Sequence, residues 1–571
     1  MVLVRGNALE VDVAGAPVVE QRLHVADFGK AIIVEVPPDA SQADRDGFNT
    51  EAYDHQVENP FVAVNQQPLS TFSIDVDTAS YSNVRRFLQS GQLPPKGTVR
   101  IEELLNYFSY DYPQPEGDVP FSSNIEIAEC PWKPSHRLAR IGLKGKEIAV
   151  DKRPVSNLVF LIDVSGSMHA QNKLPLVVQG FKLLVNQLTE NDRVAIVVYA
   201  GAAGTVLDST TGDHKDVILA ALDRLQAGGS TNGGEGIQRA YDLAVANFIK
   251  GGVNRVILCT DGDFNVGITD RGQLLKLIED RAKSGVFLTT LGVGDDNFKD
   301  ATLQQLADKG NGNYHYLDTV AEGHKVLVEQ MNATLVTIAK DVKVQIEFNP
   351  AQAAAYRLIG YEKRILAKED FNNDAKDAGE IGAGHTVTVL YEVVPAGVAV
   401  RGAVDPLKYQ SGPTNIAGTG STLKRQELET ARIQLVKSIA DSMNLFLPTH
   451  PKMLELKQRL ADIEQQIQLL NPASKELLTL QLRYKAPDGD TSKLVEFPLT
   501  DGGAGFARAS ADFKFASAVA EFGMLLKDSP FKGTANFDSA LELAGEGKGP
   551  DTHGYRAEFI TLVAKAKELK R

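Results

Sequence analysis

Apolar and polar positions change rhythm several times along the chain. Between residues 155 and 337, short apolar runs alternate with segments whose apolar residues recur every three or four positions. Runs at 157–163, 193–199, 254–260, 286–292 and 313–317 read as strands, and the first, partly β-branched, reads as a central one covered on both faces. Amphipathic helices are predicted near 174–189, 214–226, 234–248, 271–284, 300–308 and 321–337. Alternation of this kind predicts an α/β fold built on a doubly wound, mostly parallel sheet.

After Lys340 the period becomes two. Val342 to Phe348, Thr386 to Val394, Leu478 to Tyr484 and Lys493 to Phe497 predict antiparallel strands packed against two earlier ones, Asn124 to Cys130 and His136 to Leu143. The earlier pair precedes the parallel sheet and the later strands follow it. Both are therefore expected in one β domain, with the doubly wound domain inserted, since insertion is tolerated where entry and exit lie close. Before these strands a helix turns Val84, Phe87 and Leu88 inward, and a second, from about Arg100 to Phe108, follows. Residues 1–40 predict several short strands (Val2, Val4, Leu9, Val11, Val13, Val18, Val19, then Ile32 to Val36), and the polar, acidic stretch after Pro37 predicts a linker.

The expected organisation has five parts. Residues 1–58 are a short-strand segment and linker, and 59–150 hold helices plus strands. Residues 151–340 are the doubly wound domain. Residues 341–500 are the β domain, interrupted at 421–471, and 501–571 are helical. The interruption reads as a helical hairpin. Leu428, Leu435, Ile439 and Met443 mark one apolar face, and Leu456, Leu460, Ile463, Ile467 and Leu470 mark another. Pro448-Thr449-His450-Pro451 separates the two helices. The hairpin either packs on itself or the body, or forms an arm for a partner or a second copy.

Candidate chemistry sits where the first parallel strand ends. Leu158 to Ile162 empties into Asp163-Val164-Ser165-Gly166-Ser167. Gly228-Gly229-Ser230-Thr231-Asn232 is a glycine-rich loop, and the strand Arg255 to Thr260 ends in Asp261-Gly262-Asp263. Ligands of open α/β sheets bind at the carboxyl ends of the strands. Carboxylate and hydroxyl donors without sulfur or imidazole suit Mg²⁺, Mn²⁺ or Ca²⁺ rather than zinc. Taken alone, the first motif also reads as a plain helix cap at Ser165 or Ser167.

Together these motifs resemble the metal-ion-dependent adhesion site of von Willebrand factor A (VWA) domains. Asp163, Ser165 and Ser167 match its first motif, Thr231 its second and Asp261 its third. The segment Ser70-Thr71-Phe72-Ser73-Ile74-Asp75-Val76-Asp77-Thr78-Ala79-Ser80-Tyr81 resembles the N-terminal region of a bacterial VWA family of the cell envelope. The stretch from Phe506 to Gly533 resembles that family's C-terminal domain. The resemblance implies metal-dependent protein–protein recognition or adhesion: water completes the shell of one divalent cation, and a partner protein's Asp or Glu carboxylate replaces a water. The alternative is a structural or assembly scaffold of the envelope in which the metal only stabilises the fold. The implied location is periplasmic or surface-exposed. Met1 to Arg5 has neither a basic nor an apolar leader pattern, so a cytoplasmic location is the alternative. Asp263 and Asn232, beside the motif residues, are candidates for holding waters around the ion or are ordinary loop polarity.

Composition narrows the classes further. A chain of 571 residues is long enough for three or four domains. Its formal charge of −13, from 73 acidic and 60 basic residues, disfavours nucleic acid and favours cations. No apolar run reaches the roughly 18 residues of a membrane span. Motifs of zinc hydrolases, P-loop NTPases and α/β-hydrolases are missing and the ten histidines are scattered, so no enzyme is expected. Asp75 and Asp77 depart from the haloacid-dehalogenase pattern, because Ala79 stands where Thr or Val is needed; capping of the following helix is expected instead. Asp370-Asn372-Asp374 lacks the glycine of a calcium loop, having Ala375. Cys259 lies in an apolar strand and reads as a buried thiol.

Overall fold

Six strands form the sheet that the alternating segments predict. In the computed structural model their order is Tyr314–Tyr316, Phe287–Gly292, Val253–Thr260, Ser156–Asp163, Arg193–Tyr199 and Ala203–Thr211. The structure describes residues 2–5, 8–11, 51, 53 and 56–570, apart from 150–151, 201–202, 229–232, 263–270, 296–297, 331–335, 375, 377, 400–419, 444–449, 470–473 and 488. The chain divides into two compact units, residues 1–49 and 50–571. The first contains an antiparallel hairpin of Val2–Arg5 with Ala8–Val11. The strands expected at Val18, Val19 and Ile32 to Val36 lie outside the described residues.

In the second unit, the first five strands of that order are parallel to their neighbours. Ser156–Asp163 is buried along its whole length at the centre, as its unbroken apolar run requires. Asp163 lies opposite Tyr199 on one side, and Ile162 lies opposite Cys259 on the other. Ala203–Thr211 is antiparallel and was not expected from the pattern. Its sequence is mostly polar and half-buried, as befits an edge strand, so no apolar rhythm announces it. The helix expected over 321–337 does not reach 337. Its described part is Val320–His324 and a π turn at Lys325–Glu329, and Thr337–Phe348 is strand. The β-branched Val336-Thr337-Ile338 favours the extended form, and Thr337 and Ala339 pair with Gly382 and Ile381.

Two five-stranded antiparallel sheets flank this domain. One holds Val62–Ala63, Ala353–Ile359, Thr386–Pro395, Arg137–Gly145 and Phe121–Glu129, in that order. The other holds Gly379–Gly382, Thr337–Phe348, Glu476–Lys485 and Ser492–Thr500, with Leu69–Ser73 also on Thr337–Phe348. Their facing side chains, among them Ile141, Val389, Tyr391, Val344, Ile346 and Leu480, share one core. Because Arg137–Gly145 pairs directly with Thr386–Pro395, the parallel sheet is inserted into this β domain.

Helices Ala511–Lys527, Phe537–Glu546 and Tyr555–Leu569 cover the outer face of the first of these sheets, the face that carries Ala128, Leu138, Ile359 and Leu390. They share a core with Ala79–Gln89 and Ile101–Asn106, in which Phe108 meets Phe515 and Phe559 edge to face at ring separations of 4.8 and 5.6 Å. Buried ion pairs tie this layer to the parallel sheet. Arg85 holds Asp318 and Glu322 at 2.5 and 2.7 Å, and Arg100 holds Asp300 at 2.6 Å. Asp77 does not cap the helix after it. The N-cap residue is Thr78, which makes no side-chain cap bond. The Asp77 carboxylate is buried and accepts from Gln304 Nε2 at 2.9 Å and Arg364 Nη2 at 3.1 Å. A fully buried carboxylate needs charged and polar partners, and the neighbouring domains supply them.

Helices Gly420–Met443 and Pro451–Leu469 occupy the interruption and pack together. Leu428, Leu435, Ile439, Leu456, Leu460 and Ile463 are half-buried, whereas Ile433, Val436 and Leu454 are exposed. Met443, Ile467, Leu470 and Pro448-Thr449 fall outside the described side chains.

Candidate metal centre

The centre is built from the ends of two neighbouring parallel strands. Asp163 closes the central strand and is fully buried. Its Oδ1 accepts the backbone N–H of Ser165 at 2.9 Å, which folds the loop back over the strand end. Its Oδ2 accepts the hydroxyl of Thr260, the last residue of the next strand, at 2.9 Å. Ser165 stands at the N-cap position of the short 3₁₀ turn Gly166–His169, yet its side chain caps nothing. Its hydroxyl lies 3.0 Å from that of Ser167. The cap reading of these serines therefore fails at Ser165, and the two oxygens converge instead. Gly166 is exposed and Ser167 half-buried, so the loop crest reaches solvent while Asp163 does not.

Asp261 follows Thr260 and is also buried. Gly262 after it adopts φ +98° and donates its N–H to Thr260 Oγ1 at 3.1 Å. A side chain there would be strained and would press on the backbone of Lys299, with a Cβ 2.6 Å from its nitrogen. The two Asp261 oxygens have different surroundings. Oδ2 receives the Lys173 ammonium at 3.1 Å, while Oδ1 is buried without a hydrogen-bond partner. Burial pushes the Asp163 carboxyl up to about 6, against the lowering effect of the Ser165 bonds, and the nearby Asp261 charge adds to the rise. Burial and the Asp163 charge likewise push the Tyr199 phenol and the Cys259 thiol well above their ordinary values. Cys259 and Cys130 are both buried free thiols.

Asp163, Ser165, Ser167 and Asp261 are thus brought to one edge. Thr231, Asn232 and Asp263 lie outside the described residues. The loop that leads to Thr231 starts at the same edge, where Gly228 donates its N–H to the Val164 carbonyl at 2.7 Å. Sequence reasoning missed Lys173. It precedes an amphipathic helix, where a lysine ordinarily faces solvent, and nothing in its spacing points inward. Among the described residues no group of three or more His, Cys, Asp or Glu could hold a metal. A cation here would have to rely on two carboxylates plus hydroxyls. That donor set, with a buried carboxylate oxygen lacking a partner, fits a hard divalent ion.

A parallel sheet carrying these two loops at its carboxyl edge defines the class as a VWA domain protein. The model described as von Willebrand factor type A domain matches residues 157–330, and one described as von Willebrand factor matches 47–140. The model for the YfbK C-terminal region matches 333–469 and 449–569. The protein YfbK of Escherichia coli K12 is 42% identical over 524 residues, covering 90% of this chain and 81% of that one. The chain belongs to this bacterial VWA family. The Synechocystis protein sll0103 is 30% identical over 191 residues, 33% of this chain and 44% of its own. A solved structure, the von Willebrand factor type A protein from Catenulispora acidiphila, aligns with 78% of this chain and 91% of its own at 15% identity and a TM-score of 0.39. Among the described residues, no helix is long and apolar enough to cross a membrane.

Proposed function

We propose that the chain is a metal-dependent protein-recognition module. Asp163, Ser165, Ser167, Thr231 and Asp261 hold one Mg²⁺, with Mn²⁺ or Ca²⁺ as substitutes, and a partner protein's Asp or Glu carboxylate completes the shell. Domains of this class commonly serve interaction and adhesion rather than catalysis, and no catalytic residue is assigned. The observation that carries the reading is the buried Asp261 Oδ1 without a partner, at the same edge as the converged Ser165 and Ser167 hydroxyls. A buried carboxylate oxygen left unpaired costs stability, and a cation removes that cost. The ion supplies a positive centre with exchangeable positions. The protein supplies only two charged donors, so the bound ion retains attraction for a further carboxylate.

The test is thermal unfolding of metal-stripped protein with and without Mn²⁺. At about 100 times its Kd, the metal is expected to add about 2.7 kcal/mol of stability, and Asp163→Ala is expected to abolish the gain. No change in the wild type would refute the reading. An envelope location belongs to the same proposal and rests on the family resemblance. A scaffold with a purely structural ion is the second reading, favoured by the deep burial of both aspartates. Capture of envelope proteins that survives EDTA would favour it.

A further inference from the structure

We propose that Lys173 sets the selectivity of this centre, lowering its affinity for the metal and raising the loaded centre's affinity for an anionic partner group. The inference rests on the metal-dependent reading above and adds a residue and a charge rule to it.

Lys173 is held where it is by construction. Its backbone N–H donates to the Ala170 carbonyl at 3.0 Å, and its own carbonyl accepts from Val177 at 3.0 Å as the helix Leu174–Asn186 begins. The side chain is 3% exposed. Its methylene stem runs under Gly294, which has φ +77°. A Cβ at Gly294 would collide with the lysine Cε and lie 3.0 Å from Cδ and Cγ. Gly294 is itself fixed, because Tyr316 donates its hydroxyl to the Gly294 carbonyl at 2.7 Å. The slot thus belongs to the loop after a different strand, and it aims the ammonium at Asp261.

There the carboxylate is divided: Oδ2 takes the ammonium and Oδ1 is left for another cation. Asp163 and Asp261 are the acidic groups of the centre among the described residues, and the Lys173 ammonium makes the centre one charge more positive than it would be without it. The more positive centre attracts a carboxylate more strongly, and the same ammonium repels the incoming metal, both at short range in a weakly screened site. The lysine therefore trades metal affinity for ligand affinity. A lysine that served packing alone would move neither quantity in opposite directions.

The experiment uses the full chain stripped of metal, with Mn²⁺ as the metal probe and acetate as the carboxylate probe. Free Mn²⁺ is read by electron paramagnetic resonance. Acetate binding to the loaded protein is read as loss of water-proton relaxation enhancement. Lys173→Met removes charge and hydrogen bond, whereas Lys173→Gln removes the charge and keeps a donor. Both variants are expected to bind Mn²⁺ about tenfold more tightly than the wild type and acetate about tenfold more weakly. Mn²⁺ binding seen only in the variants also supports the proposal. Unchanged Mn²⁺ affinity in both variants, or changes of the same direction for metal and acetate, would overturn it. If Asp163→Ala loses Mn²⁺ while the Lys173 variants match the wild type, the metal reading stands and this inference falls. Binding in no variant removes both. Unfolding of both Lys173 variants in EDTA would assign the lysine to the fold and end the proposal.

Discussion

The Asp77 carboxylate accepts the backbone N–H of Tyr314 at 2.8 Å across 237 residues of sequence. Tyr314–Tyr316 is the outermost parallel strand, and its free edge would otherwise present unpaired backbone groups. Asp77 satisfies one of them, and Thr78 adds a 3.0 Å hydrogen bond to His315. Gln304 and Arg364 complete the carboxylate's partners, so one side chain joins the N-terminal region, the inserted domain and the β domain.

Asp77→Ala is therefore expected to cost about 3–5 kcal/mol, because it leaves buried donors and part of a buried charge uncompensated. Trp132, the chain's single tryptophan, is fully buried and donates to Glu392 at 3.1 Å, which makes its emission a probe of the β domain. Urea unfolding followed by this emission checks the expectation. A loss below about 1 kcal/mol would mean that the clamp is dispensable.

Thr231→Ala tests the part of the centre carried by sequence alone. The variant is expected to weaken Mn²⁺ binding about tenfold, one lost oxygen donor. Its unfolding in EDTA should match the wild type. Equal Mn²⁺ affinity would remove Thr231 from the shell.

Glu521 gives a pH signature far from the centre. It is buried in the helix Ala511–Lys527, and burial pushes its carboxyl up to about 7 despite a 2.7 Å hydrogen bond from Ser539. The folded state thus holds this proton more tightly than the unfolded chain. The stability it contributes is fully present below the ordinary glutamate value and is lost as pH rises through about 7. Glu521→Gln should flatten this decline and gain up to about 3 kcal/mol on the wild type above pH 7. Urea midpoints measured from pH 5 to 8 decide it; parallel curves for the two proteins would contradict the assignment.

Replacement of 421–471 by a short Gly/Ser bridge is expected to leave the VWA domain folded and its Mn²⁺ affinity unchanged. The two hairpin helices pack on each other and expose Ile433, Val436 and Leu454. Circular dichroism should lose helix signal while Trp132 emission stays. An insoluble or unfolded product would place the hairpin in the core.

Much of this was legible in the sequence because it rests on local rhythm. Leu158 to Asp163 announces a buried parallel strand and its loop together, and the alternation at Thr386 to Val394 announces a sheet face. The side chains that meet at the sheet's carboxyl edge were legible where they lie in motifs, at Asp163, Ser165, Ser167 and Asp261. Other features are set by partners distant in sequence. Ala203–Thr211 is a strand because Arg193–Tyr199 offers it an edge, and its own residues carry no periodicity. Asp77 looks like a helix cap until the edge of another domain supplies Tyr314. Lys173 is buried only because Gly294 makes room for it. Each of these depends on a relation between segments that a single stretch of chain does not encode.

The insertion has a kinetic consequence. His136 and Glu392 are hydrogen-bonded at 2.6 Å although 256 positions separate them, and the whole parallel-sheet domain lies between. Bringing such distant strands together while the intervening chain is loose carries a large loop-closure cost; a folded insert whose ends lie close shortens the effective loop. During synthesis Arg137–Gly145 emerges long before Thr386–Pro395 exists, leaving that side of the half-built β sheet open. The expected order is therefore that the inserted domain folds first and the surrounding sandwich zips shut last.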